Sequence, residues 1–124
     1  MCSSDLKAQQ RGAQLMAGLH KLAERHQAIG NIRGRGLAIG VELVEDRATK
    51  TPATKFCQKV VYRCYERGLL LFYVGMSSNV LELTPPLTLT PSEAADGLAI
   101  LDQVLGEVAA GAVADADLAA YAGW

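Results

Sequence analysis

Residues 32–44, IRGRGLAIGVELV, decide the fold. Gly34, Gly36 and Gly40 stand close beside Arg33 and Arg35, and an apolar run comes after them. Two structures compete for such a segment. A dinucleotide-binding turn requires G-x-G-x-x-G between a strand and a helix, with the helix N-terminus aimed at the phosphates. Here Ile39 takes the place of the third glycine, and the residues after it are not helical in pattern. Leu37, Ile39, Val41 and Leu43 alternate with Ala38, Gly40 and Glu42, the period of two that sends one set to each face of a sheet. The segment therefore reads as one long strand over 32–44. Its glycines read as points where other backbone approaches closely, not as a phosphate cradle.

Working outward, residues 5–27 are helical in pattern. Leu15, Leu19 and Leu22 recur at spacings of four and three with Met16 beside them, and Gly30 is a stop. On the other side, residues 46–54 form a polar connection containing Pro52. Phe56, Val60, Val61 and Cys64 then mark a second amphipathic helix that ends at Gly68. LLLFYV (69–74) reads as a buried strand and VLEL (80–83) as another, joined as a hairpin by the five residues GMSSN. Thr90-Pro91-Ser92-Glu93 is a capping box with proline at the first helical position. Ala94, Leu98, Leu101, Leu105 and Val108 form the apolar stripe of the helix it opens. Beyond residue 109 the chain is small and acidic, a frayed tail or a short helix docked by Tyr121 and Trp124. The order helix, strand, helix, strand, strand, helix predicts an α+β fold. It is a two-layer sandwich, with a mostly antiparallel three-stranded sheet and helices on one face.

The chain of 124 residues fits one domain, large enough to bury roughly two thirds of the surface its unfolded form exposes. Half the residues are hydrophobic, which excludes a disordered tail. Twelve basic against thirteen acidic residues leave no charge footprint for nucleic acid or an anionic membrane. No apolar run reaches the length of a membrane span, and MCSSDL at 1–6 lacks a signal pattern, so the expected location is the cytoplasm. A helix that begins almost at the first residue makes 1–6 an expected cut boundary, with 7–109 the domain and 110–124 the tail.

Candidate chemistry is sparse. Cys2, Cys57 and Cys64 are odd in number and lack CxxC spacing, so free thiols are expected. His20 and His26 lie six apart on a polar helix, do not share a face at metal spacing and have no carboxylate cluster to complete a set, so they read as solvated. Glu42 and Glu82 both fall in strands, where ion pairs or an interface are better roles than general acid catalysis. The most distinctive segment is LTPPLTLTPSE (83–93). Adjacent prolines carry no N–H and stop ladder pairing, and they hold Thr84 and Pro85 extended. A stiff connector results, either a plain sheet edge or a rigid wall beside a ligand.

Three stretches taken together, IRGRGLAIGVEL (32–43), GLLLFYVGMSSNVLELTPPLTLT (68–90) and SEAADGLAILDQVL (92–105), resemble the C-terminal small domain of class III pyridoxal-phosphate-dependent aminotransferases. The opening GLHKLAERHQAIGNIRG (18–34) fits as well. The resemblance implies a homodimeric enzyme that moves an amino group from an amino acid or amine to a 2-oxo acid. It also implies that the cofactor-bearing lysine lies on a large domain outside this segment. No part of this chain resembles that lysine motif, so no catalytic or cofactor-binding residue is expected here, and the chain alone is expected to be inactive. The implied role is to close over the substrate as one wall of the site, with Glu82 and Pro85 as the substrate-facing candidates. Many members carry arginine where this chain has Glu82. That reversal speaks against a carboxylate clamp of the 4-aminobutyrate or ornithine kind, and leaves an amine, a phosphonate-bearing amine or another amino acid open. A lyase of the same family, a free-standing α+β binding module and a ferredoxin-like regulatory domain are the alternatives.

Overall fold

A computed structural model describes residues 3–35, 38–69, 71–77, 79–85, 88–114 and 116. The elements run α1 (Ser3–Arg25), β1 (Ile29–Arg35), β2 (Ala38–Asp46), β3 (Thr51–Pro52), α2 (Thr54–Glu66), β4 (Phe72–Val74), β5 (Val80–Leu83) and α3 (Pro91–Ala109). The sheet order is β1-β2-β5-β4, with β3 paired to β2, and every pairing is antiparallel. The α+β sandwich is therefore as expected, but the sheet is larger. The single strand read over 32–44 is two strands. Arg35 pairs with Ala38 and Gly34 with Ile39, so the chain reverses between 35 and 38. The core-facing positions are even in β1, where Ile32 and Gly34 pair with Val41 and Ile39, and odd in β2, but Arg33, Gly34 and Arg35 supply no apolar residue to show the change of phase, which is why the segment looks like one strand. Gly36, one of the glycines read as a point of close backbone approach, lies outside the described residues.

The alternation in β2 does what its period dictates. Ile39, Val41 and Leu43 are almost wholly buried, and Glu42 and Gly40 stand on the other face. All three helices add to the buried side. Leu15, Leu19 and Leu22 from α1, Cys57, Val60 and Cys64 from α2, and Leu101, Val104 and Leu105 from α3 join the strands in one core. The segment 69–74 is not a buried strand throughout. Leu71 is buried, but β4 covers only 72–74, where Phe72 is 54% and Val74 40% exposed. The five-residue loop is as expected, since Val74 pairs with Val80.

The helix ends follow the local chemistry. Thr90 Oγ1 accepts from the Glu93 amide, and Glu93 Oε1 accepts from the Thr90 amide, so both halves of the capping box are present. The Thr90 amide holds the Glu93 carboxyl below its usual range. Helix α2 ends in a Schellman motif. Gly68, at φ +89°, donates to the Tyr65 carbonyl and Leu69 to that of Cys64. At the end of α1 the carbonyls are met from afar: the Arg47 guanidinium donates to those of Ala23, His26, Gln27 and Ile29. His26 is not a solvated histidine. Its ring is 15% exposed, and its Nε2 lies 2.7 Å from Asp102 Oδ1 on α3, beside the Arg25–Asp102 ion pair. Tyr121 and Trp124 lie outside the described residues.

Two close approaches set the packing tolerances. A Cβ at Gly30 would stand 2.7 Å from both methyls of Val44, which is buried and β-branched and therefore stiff. A Cβ at Gly18 would stand 2.3 Å from Leu98 Cδ1, the mobile end of a half-buried leucine. Gly30→Ala should destabilise the chain by about 1–3 kcal/mol. Gly18→Ala should stay within about 1 kcal/mol of neutral, because better helix propensity offsets the displaced leucine. Urea unfolding of the two variants reads the difference.

Helices α2 and α3 are tied by a charged cluster. Glu107 Oε2 accepts from Arg63 Nη2 at 2.7 Å and Arg67 Nη2 at 2.9 Å. The hydrogen bonds from Arg67 and Arg63 hold the Glu107 carboxyl below its ordinary value of 4.5. A carboxyl lowered on folding adds stability above its unfolded value and loses it as pH falls through the folded one. Denaturation midpoints should therefore fall below about pH 4.5, and Glu107→Gln should flatten that part of the profile. A parallel slope in the variant would show that the cluster contributes nothing.

Candidate functional site

With every helix on one face, the other face of the sheet has no cover from the described residues. Its residues follow from the register. Arg33 lies opposite Gly40, Gly40 opposite Glu82, and Glu82 opposite Phe72. One lateral row thus crosses β1, β2, β5 and β4 as Arg33, Gly40, Glu82, Phe72. The neighbouring row holds Asn31, Glu42, Val80 and Val74. Glycine at the second place of the first row leaves a notch. A Cβ there would meet only Val80 Cγ1, at 3.3 Å. Arg33, Gly40, Val74, Glu82 and Thr84 surround the notch as a shallow depression of about 420 Å³.

A second, more enclosed cleft of about 370 Å³ opens where the sheet meets the connector and α3. Leu15, Leu71, Pro85, Leu89 and Leu98 give it apolar walls, and Glu82 and Glu93 reach its rim. Glu82 lines both hollows and Pro85 the second, so the fold brings the two sequence-derived candidates together around one cleft. Pro86 lies outside the described residues. Glu42 and Glu82 share the bare face diagonally. Glu42 stands 3.8 Å from Arg33, while Glu82 has no hydrogen bond or ion pair among the described residues. Phe72 is hidden from sequence reasoning because it sits in an apolar run. Counting by twos from buried Leu71 is the signal that puts Phe72 and Val74 on the outer face.

The register that builds this face is fixed from the loop. Asn79 is buried, its Nδ2 donates to the Leu43 carbonyl at 2.8 Å, and its own carbonyl accepts from the Leu43 amide at 2.8 Å. Glu82 then falls three residues later, opposite Gly40.

Nucleophile and metal chemistry have little support. Cys57 and Cys64 are free and buried, and burial pushes both thiols up to about 12. Among the described residues no group of His, Cys, Asp and Glu is placed to hold a metal ion. No described lysine lines either hollow, and Lys50 Nζ instead donates to the Gly30 carbonyl at 2.8 Å. A lysine that binds an aldehyde cofactor must stand inside its pocket, so the lysines described here do not fit that role. No described helix is long and apolar enough to cross a membrane.

Such an arrangement defines a class: a one-sided α+β layer that offers a bare, partly apolar sheet face and a proline-walled cleft. Residues 4–105 match the profile of the aminotransferase class-III family, and the chain belongs to that family. It is 40% identical to leucine/methionine racemase of Thermococcus litoralis over 95% of this chain and 26% of the racemase. It is 38% identical to the 4-aminobutyrate aminotransferase GabT of Escherichia coli over 82% of this chain and 24% of GabT. A phospholyase from Arthrobacter, solved with phosphoethanolamine, superposes with a TM-score of 0.76 at 33% identity, covering 81% of this chain and 24% of that one. The chain thus spans about a quarter of the length of the relatives it matches.

Thiolate, not thiol, reacts with alkylating agents. At pH 8 Cys57 and Cys64 should therefore react with iodoacetamide only as fast as the chain opens. Mass spectrometry in rising urea should show both labelled together along the unfolding curve.

Proposed function

We propose that this chain is the substrate-capping segment of a pyridoxal-phosphate-dependent amino-group-transferring enzyme. The observation that carries the proposal is the one-sided sheet. A cap must present one face to the reacting body and cover its own back, and here three helices cover the back while Phe72, Val74 and the shallow depression lie bare, and the second cleft opens at the edge where sheet, connector and α3 meet. The family match supports the same reading. The cofactor acts as electron sink at the substrate's amine-bearing carbon. Its lysine and the groups that hold its phosphate belong, in this proposal, to a large domain outside this segment, within a homodimeric enzyme of the cytoplasm. The work of this chain's residues is to complete the wall, exclude water and position the end of the substrate remote from its reacting amine. Pro85 supplies a rigid apolar surface, and Glu82 supplies a charge without a partner among the described residues at the junction of the hollows.

Identity to leucine/methionine racemase over nearly the whole chain favours a second reading, racemisation of an amino acid. The two differ in stoichiometry. Racemisation of one enantiomer proceeds without a 2-oxo acid acceptor, whereas amino transfer stops without one.

Incubation of this chain with pyridoxal phosphate, then borohydride, should leave no lysine stoichiometrically modified by peptide mass spectrometry. Stoichiometric modification of a single lysine would place the cofactor on this chain and overturn the capping role.

A further inference from the structure

We propose that Glu82 and Phe72 form a subsite for an alkylammonium group, so that the capped substrate carries a second, cationic amine at the end remote from the reacting one. The inference rests on the capping reading for its catalytic meaning, but the subsite itself stands on geometry. Glu82 and Phe72 are register partners on adjacent strands, where directly opposed side chains are neighbours. Phe72 is 54% exposed on the bare face, so its ring has no full cover from the described residues. A carboxylate beside an open aromatic ring is a combination that recognises an ammonium ion, by charge and by the ring's negative face. On the other flank Gly40 leaves the approach to the carboxylate clear.

The charges nearby reinforce the choice. Arg33, two strands away, is the described cation in the same row as Glu82. It lies by Glu42 instead, and Glu82 has no partner among the described residues. Glu82 and Phe72 both line the more enclosed cleft of about 370 Å³, a size for a small molecule, and Leu71 and Pro85 give its wall an apolar surface for a methylene chain. An anionic substrate end would meet the Glu82 carboxylate directly, so the ω-carboxylate class is disfavoured. A short diamine, with one amine at the cofactor and the other at Glu82, matches the site.

The test is an NMR titration of the 124-residue chain with pentane-1,5-diamine and, separately, with pentanoate. The diamine should shift the Glu82 and Phe72 side-chain resonances along one saturating curve, and pentanoate should not. Glu82→Gln should weaken diamine binding about tenfold or more. Phe72→Leu should weaken it about threefold. Gly40→Ala, which raises the floor of the notch without touching charge, should also weaken it, and serves if a first variant fails to fold. Shifts spread evenly over Glu42, Glu45 and Asp46, equal binding of pentanoate, or unchanged affinity in Glu82→Gln would each overturn the subsite. A cofactor-modified lysine in this chain would sink the capping role and leave this titration unaffected, so the two ideas fail separately.

Discussion

Pairing between β2 and β5 is the constraint on which the other contacts depend. Strand β2 touches β1, β3 and β5, and its alternating residues fill the centre of the core. A slip of one residue would turn Ile39, Val41 and Leu43 outward and drive Glu42 into the apolar layer. Burial of three large side chains contributes several kcal/mol at about 1.5–3 each, so the hydrophobic pattern alone opposes the slip strongly. Asn79 adds what burial cannot: a directional lock. Its side chain and carbonyl both engage Leu43, so the strand after the loop enters at one position only. A buried amide is costly when unpaired, and that cost is what makes the lock selective.

That lock links core to surface. Residues at even and odd positions of one strand cannot move independently. Holding Leu81 in the core, opposite Val41, holds Glu82 outside, opposite Gly40 and Phe72. The composition of the bare face is therefore fixed by the same register that packs the buried one. The helices hold their side equally firmly. Arg47 binds the open carbonyls at the end of α1, Asp102 joins α1 to α3, and Glu107 joins α3 to α2. Each tie joins elements distant in sequence, and together they make the covered side a rigid backing for the sheet.

How much of this is legible in the sequence depends on whether the signal is local. The capping box at Thr90 and Glu93, the glycine stop at Gly68 and the hairpin around 75–79 are set by residues a few places apart, and all stand where the pattern puts them. The reversal between β1 and β2 is hidden, because Arg33, Gly34 and Arg35 supply no apolar residue to show the change of phase and a seven-residue strand cannot be told from the start of a longer one. His26 is illegible for a different reason. Its partner Asp102 is 76 residues away, and no local pattern carries that distance. Glu82 is visible as a residue out of place in an apolar strand. Phe72 is not, since an aromatic in LLLFYV looks like core until the face of Leu71 is known.

If the bare face is covered as proposed, a carboxylate on it has consequences that depend on the medium. Two unit charges about 4 Å apart interact by about 1 kcal/mol in water and about 4 kcal/mol at the effective dielectric of a protein surface. While the face is bare, water screens Glu82 and distinguishes weakly between a cation and an anion nearby. Covering the face removes that water, so attraction and repulsion grow together, and the carboxylate must find a partner or bear the cost of desolvation. Selectivity is then greatest in the closed state, where chemistry would occur, and smallest in the open state, where ligands enter and leave. A neutral residue at 82 would make closure easier but indifferent to charge. In the proposed cap, a glutamate without a partner among the described residues would make closure conditional on what the ligand brings, so that a wall could govern which substrate reacts.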